Sequence, residues 1–204
     1  MRGVVVLCGL AAVLWFVMFS PITAGHVPFW PIMTACALLL AAAGSCVDPV
    51  GMWRVFGVRW WHVPVGILAA AVLYVVFWVG HSLSVWLFAF ADDQVRAVYA
   101  RRPDTSGWGL AALLVCIGSC EEIFWRGFVQ RRLAQRWGPC VGLTAATAVY
   151  ALVHIWSGNL MLLAAAGICG LFWGAMLMRF GSVWPGLVSH ALWDVMIFVL
   201  WPLG

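Results

Sequence analysis

Apolar residues run through this chain in blocks too long for the core of a soluble domain, and polar residues interrupt them only in short bursts. Blocks able to cross a bilayer, at roughly 20 residues per span, lie at about 3–20, 30–47, 63–91, 107–130, 140–157, 160–178 and 183–201. The pattern predicts an all-α fold, a polytopic membrane helix bundle of about seven transmembrane helices with room for an eighth. The third block exceeds one span, which a tilted helix or an interfacial continuation accommodates, and Asp92 to Asp104 read as a surface segment. Residues 1–106 then form N-terminal spans with an interfacial segment, and 107–204 the core helices of the same membrane domain. No internal repeat or low-complexity tract is visible.

Composition agrees with the pattern. Of 204 residues 65% are hydrophobic and only 9% charged, with mean hydropathy +1.02, which excludes an ordinary soluble domain. The net charge of +4 comes from arginine alone, since the chain has no lysine. No basic cluster is interleaved with polar residues, so nucleic acid is not an expected partner; the lipid bilayer is. Arg2, Arg54, Arg59, Arg131, Arg132, Arg136 and Arg179 fall on one side of the seven-span arrangement, against Arg96, Arg101 and Arg102 on the other. The positive-inside rule then predicts a cytoplasmic N-terminus. The first block is longer than a typical signal core, so it reads as an uncleaved span. Seven cysteines, at positions 8, 36, 46, 116, 120, 140 and 169, sit mostly inside apolar blocks and read as small packing residues rather than a disulfide framework.

Against this background a few ionisable residues stand out. Glu121, Glu122 and Arg126 lie inside the fourth block, His154 near the end of the fifth, and His190 with Asp194 inside the seventh. A charge in hydrocarbon costs several kcal/mol unless a partner or a wet cavity relieves it, so such residues are candidates for function. At 1.5 Å per residue Glu121 lies about 14 Å from the cytoplasmic end of its span, His190 about 11 Å in and His154 about 21 Å in, so the three can meet at middle depth. Positions i and i+4 share a helix face, so Glu122 and Arg126 can pair, which leaves Glu121 free. A carboxylate in a dry cavity can take a proton from water as a general base, and His154 can help to bind that water. His190 can donate to a developing oxyanion, with Asp194 orienting its ring or, if protonated, donating directly. Taken singly, each group could equally be a packing residue or a helix lock.

These residues resemble the CPBP family, the CAAX proteases and bacteriocin-processing enzymes, whose pattern is EExxxR, FxxxH and HxxxN or HxxxD on successive helices. Glu121, Glu122 and Arg126 match the first element, His154 the second, and His190 with Asp194 the third, over roughly residues 107–201. Tyr150 stands where the family usually has Phe, and Asp194 where it more often has Asn. The run from Glu121 to Phe128 is also similar to bacterial members thought to process C-terminal sorting tails of exported proteins. The resemblance implies an intramembrane glutamic-type endopeptidase that acts on a membrane-anchored or lipidated protein or peptide, cutting near its C-terminus. It makes Glu121 the base, His154 its partner, and His190 with Asp194 the oxyanion stabilisers, with Glu122 and Arg126 shaping the site. No cofactor is expected. If the enzyme is instead zinc-dependent, as the family has long been labelled, Glu121, His154 and His190 are the ligands. Other classes are a thiol mechanism with Cys120 as nucleophile and His154 as base, a membrane module that binds a bacteriocin or secretion component, and a proton-coupled transporter.

Overall fold

The computed structural model describes residues 1–203, and among them every regular element is helical. Helix α1 spans Arg2–Phe19, α2 Phe29–Val47, α3 Pro49–Val55, α4 His62–Leu87 and α5 Ala91–Tyr99. Helix α6, Gly107–Glu121, continues through a π-helical stretch, Glu122–Gln130, into α7, Arg131–Trp137. Helix α8, Pro139–Leu152, tightens into a 3₁₀ turn at Val153–Ser157; α9 is Leu160–Phe180, and α10, Trp184–Val195, ends in a π turn at Met196–Leu200.

Six of these helical runs are long and apolar enough to cross a membrane, and the protein is an integral membrane protein. The seventh predicted span, 183–201, holds the shorter apolar helical run Trp184–Leu200, with Val183 in the turn after α9 and Trp201 past the helix end. The long third block is the single helix α4 of 26 residues. No eighth crossing arises among the described residues. The segment after α4 is instead the short helix α5, which opens on Asp92 and Asp93 and carries an exposed Arg96–Asp92 ion pair of 2.8 Å.

Local chemistry sets the boundaries. Asn159 caps α9 by accepting from the Leu162 N–H at 2.8 Å, and Ser106 caps α6 by accepting from Gly109. Gly181 ends α9 at φ 64°, a left-handed conformation that β-carbon-bearing residues rarely adopt.

Helix α10 packs against α4 and α6, α8 against α9, α2 against α6, and α1 against the 3₁₀ turn after α8. Trp15, Trp125, Trp173, Phe124 and Phe128 fill the interior between them. One end of the bundle gathers the α2–α3 turn, the end of α7 and the α9–α10 turn. There Trp184 Nε1 donates to Phe56 O (2.8 Å) and Val183 N to Val55 O (3.0 Å). At the opposite end Trp30 Nε1 donates to Arg101 O (2.6 Å), Asn159 Nδ2 to Gln94 O (2.7 Å) and Leu203 N to the Tyr99 hydroxyl (3.1 Å).

Asp48 is the fastening point of the first end. Its Oδ1 caps α3 by accepting from Gly51 N (3.1 Å), and its Oδ2 accepts from Arg131 Nη2 (2.6 Å), with Arg132 at 3.4 Å. The Arg131 hydrogen bond, outweighing partial burial, holds the Asp48 carboxyl below the usual aspartate range. A depressed folded value means stability that is fully present above the unfolded value, about 3.9, and lost as pH falls through the lower folded one. Thermal melts in detergent below about pH 4 should therefore show an acid-dependent loss that is smaller in Asp48→Asn, whose melting temperature starts lower at neutral pH.

Candidate active site

The polar residues cluster where α6 changes its winding. Glu121 is the last residue of α6 and Glu122 opens the π stretch. A π segment hydrogen-bonds i to i+5, is wider than an α-helix, and is frequent at functional sites. Two side chains bind this stretch to α9: Arg126 Nη2 donates to Cys169 O (3.2 Å) and Gln130 Nε2 to Gly174 O (2.8 Å).

Glu122 is fully buried and holds more than its helix neighbour. Its Oε1 lies 3.0 Å from Arg126 Nη1, the pair expected from i,i+4 spacing, and 3.1 Å from His190 Nδ1 on α10. A carboxylate only accepts, so His190 Nδ1 carries a proton. The His190 ring stacks on Trp173 (3.6 Å between centroids, 18° between planes) and turns Nε2 toward Asp194 Oδ2 at 3.6 Å. Either Nε2 or the Asp194 carboxyl must supply a proton for an oxygen anion placed beside them. Helix α10 comes this near because of two glycines. A β-carbon at Gly186 would lie 2.9 Å from Glu122 Oε2, and one at Gly118 3.1 Å from His190 Cδ2.

Glu121 has different partners. The Tyr150 hydroxyl donates to its Oε2 at 3.0 Å, and among the described residues no donor reaches Oε1. His154 Nδ1 lies 2.8 Å from Tyr150 O, one turn back, so that nitrogen is the protonated one. His154 Nε2 then holds the lone pair, and Trp15 Nε1 of α1 donates to it at 3.2 Å. Trp15 was not singled out from the sequence, where its block read only as a span. Tyr150 was noted only as a departure from a motif.

Glu121, His154, His190 and Asp194 line one cavity of about 390 Å³, together with Tyr150, Cys169 and Trp173. The cavity runs from this cluster to Phe29, Trp30, Tyr99, Arg101 and Asn159 at the α5 end of the bundle. No residue of the turns at the Asp48 end lines it, and neither does Cys116 or Cys120. All seven thiols are free.

The zinc alternative finds no shell ready to receive the ion. Among the described residues no three His, Cys, Asp or Glu side chains are grouped as a metal would need. Both His154 nitrogens are engaged, and both His190 nitrogens face carboxylates. Glu121, His154 and His190 are thus not grouped as a ready-made zinc shell in this structure.

Residues 103–196 match the family described as Type II CAAX prenyl endopeptidase Rce1-like. The similarity covers the motif-bearing stretch, a little under half of the chain. The Rce1-like stretch contains all six polar residues of the cluster as well as Tyr150, and leaves out α1 with Trp15. The Rce1-like family is one of proteases. No curated protein matches the chain, and no solved structure does.

Proposed function

We propose that this protein is an intramembrane endopeptidase that hydrolyses a peptide bond in a membrane-anchored protein, near its C-terminus, with a water activated by Glu121. The observation that carries this reading is a buried carboxylate with one oxygen held and the other turned, unpartnered, into a cavity that His190 and Asp194 share. In the reaction Glu121 takes a proton from water as the oxygen attacks the scissile carbonyl carbon. The carbonyl oxygen becomes an oxyanion, which accepts a hydrogen bond from the proton held between His190 and Asp194. Glu121 then returns its proton to the amide nitrogen as the C–N bond breaks, which leaves a new carboxyl and a new amine. His154 binds the water through Nε2. That atom has a single lone pair, so the water takes the position of the Trp15 N–H.

The end of the cavity bears on the substrate. Its far end lies on the side with Arg96, Arg101 and Arg102, and no residue of the turns on the side with seven arginines lines it. With the arginine-rich side in the cytoplasm of a bacterial inner membrane, the site is reached from the exported side. This favours a C-terminal tail of an exported protein over a cytoplasmic one.

Two measurements test the proposal. Mass spectrometry of membranes with and without this protein should find one new C-terminus close to the membrane-anchored tail of an exported protein; membranes with identical termini would remove the reading. A membrane-impermeant maleimide added to intact cells should leave Cys46 and Cys140, which are exposed near the arginine-rich end, unlabelled until the cells are opened. A cysteine introduced by Asp104→Cys should label at once. The reverse order would invert the sidedness and with it the substrate class.

A further inference from the structure

We propose that Tyr150 is a positioning residue for both groups that would handle the attacking water, a role that rests on the glutamate reading above. Two contacts from one residue carry the inference. Its side-chain hydroxyl donates to Glu121 Oε2 at 3.0 Å, and its main-chain carbonyl receives the His154 Nδ1 proton at 2.8 Å. The first contact divides the carboxylate into a held oxygen and a working one, so that the lone pairs of Oε1 face the cavity at a fixed angle. The second contact settles which nitrogen of His154 is protonated, so that the acceptor is Nε2. Without a donor on Oε2 the carboxylate of Glu121 turns about its last torsion, which is broad for a carboxyl group, and the base has no preferred oxygen.

The surroundings hold the phenol in turn. Tyr150 is buried; Trp125 meets its ring edge-on at 5.3 Å between centroids, and the Arg126 guanidinium lies 4.6 Å over its face. Arg126 is itself fastened to Glu122 and to Cys169 O. The phenol thus receives its orientation from the EExxxR segment and passes it to the glutamate of that same segment. A phenylalanine at this position fills the same space and supplies no donor, so the hydroxyl is an addition that acts on Glu121 rather than a requirement of the helix packing.

Tyr150→Phe separates the two contacts, because it removes the hydroxyl and keeps the carbonyl. The expected result is a fall in kcat of about tenfold with KM unchanged, the size that loss of one hydrogen bond to a charged group gives. The melting temperature should stay within a degree or two of the parent. Infrared difference spectra of Tyr150→Phe against the parent should also show a shifted carboxyl band that vanishes when both proteins carry Glu121→Gln. Unchanged kcat, a change confined to KM, or the absence of a Glu121-dependent band shift would overturn the proposal. Failure of the glutamate reading has its own sign, since Glu121→Gln would then cleave normally whatever Tyr150→Phe does.

Discussion

Glu121→Gln is expected to reduce peptide-bond cleavage by about a hundredfold to ten-thousandfold, the range that a positioned general base supplies. The amide is the same size as the carboxylate, and its oxygen can still accept from the Tyr150 hydroxyl. What it lacks is an oxygen basic enough to take a proton from water. Insertion and folding should therefore survive while turnover does not, which is why glutamine separates the chemistry better than alanine. The check is the rate of product formation in detergent or vesicles, normalised to correctly folded protein. A variant that cleaves at the parental rate would require another base, and neither nearby carboxylate is placed like Glu121: Asp194, the other carboxylate in the cavity wall, faces His190, and Glu122, which does not line the cavity, lies between Arg126 and His190.

The largest expected loss of stability comes from Arg126→Leu. Glu122 is 0% exposed and lies 3.0 Å from Arg126 Nη1, so removal of the guanidinium strands a buried carboxylate beside one histidine. Breaking a buried pair from one side typically costs about 3–5 kcal/mol, because the charge left behind has lost its compensation. The same substitution removes the bond to Cys169 O and the cation that sits over Tyr150 and Trp173. A large drop in melting temperature is the prediction, with part of it recovered in Arg126→Leu combined with Glu122→Gln, where no charge is stranded. If the double variant is as unstable as the single one, packing rather than the ion pair holds this layer together.

The parts of the site that the sequence made legible are those governed by spacing along one helix. Glu122 and Arg126 pair at i,i+4, and the depth of Glu121, His154 and His190 follows from rise per residue, so their sharing of one cavity was within reach. Rise per residue fixes depth but not rotation about the helix axis. For this reason the contact between His190 and Glu122 and the indole at His154 could not be read from the letters. Nor does any residue between Glu122 and Gln130 announce π winding, which depends on how Arg126 and Gln130 engage carbonyls of α9. Tyr150 carried a usable signal. A hydroxyl buried in hydrocarbon wants an acceptor, and the nearest unsatisfied acid on a neighbouring span was Glu121. In the fold, Trp184–Leu200 is apolar and shorter than the six long runs, yet it leads from the turn after α9, where Val183 N donates to Val55 O, to Leu203 beside Tyr99 at the opposite end.

The bond from Trp15 to His154 ties the first helix to the reacting centre. A generic hydrophobic anchor exchanged for α1 would insert as well, yet it would strip the imidazole of its resting ligand and change the contest between indole and solvent for a single lone pair. On the glutamate reading, chimeras that keep residues 103–196 and treat the leading segment as a mere tether should therefore show altered cleavage kinetics.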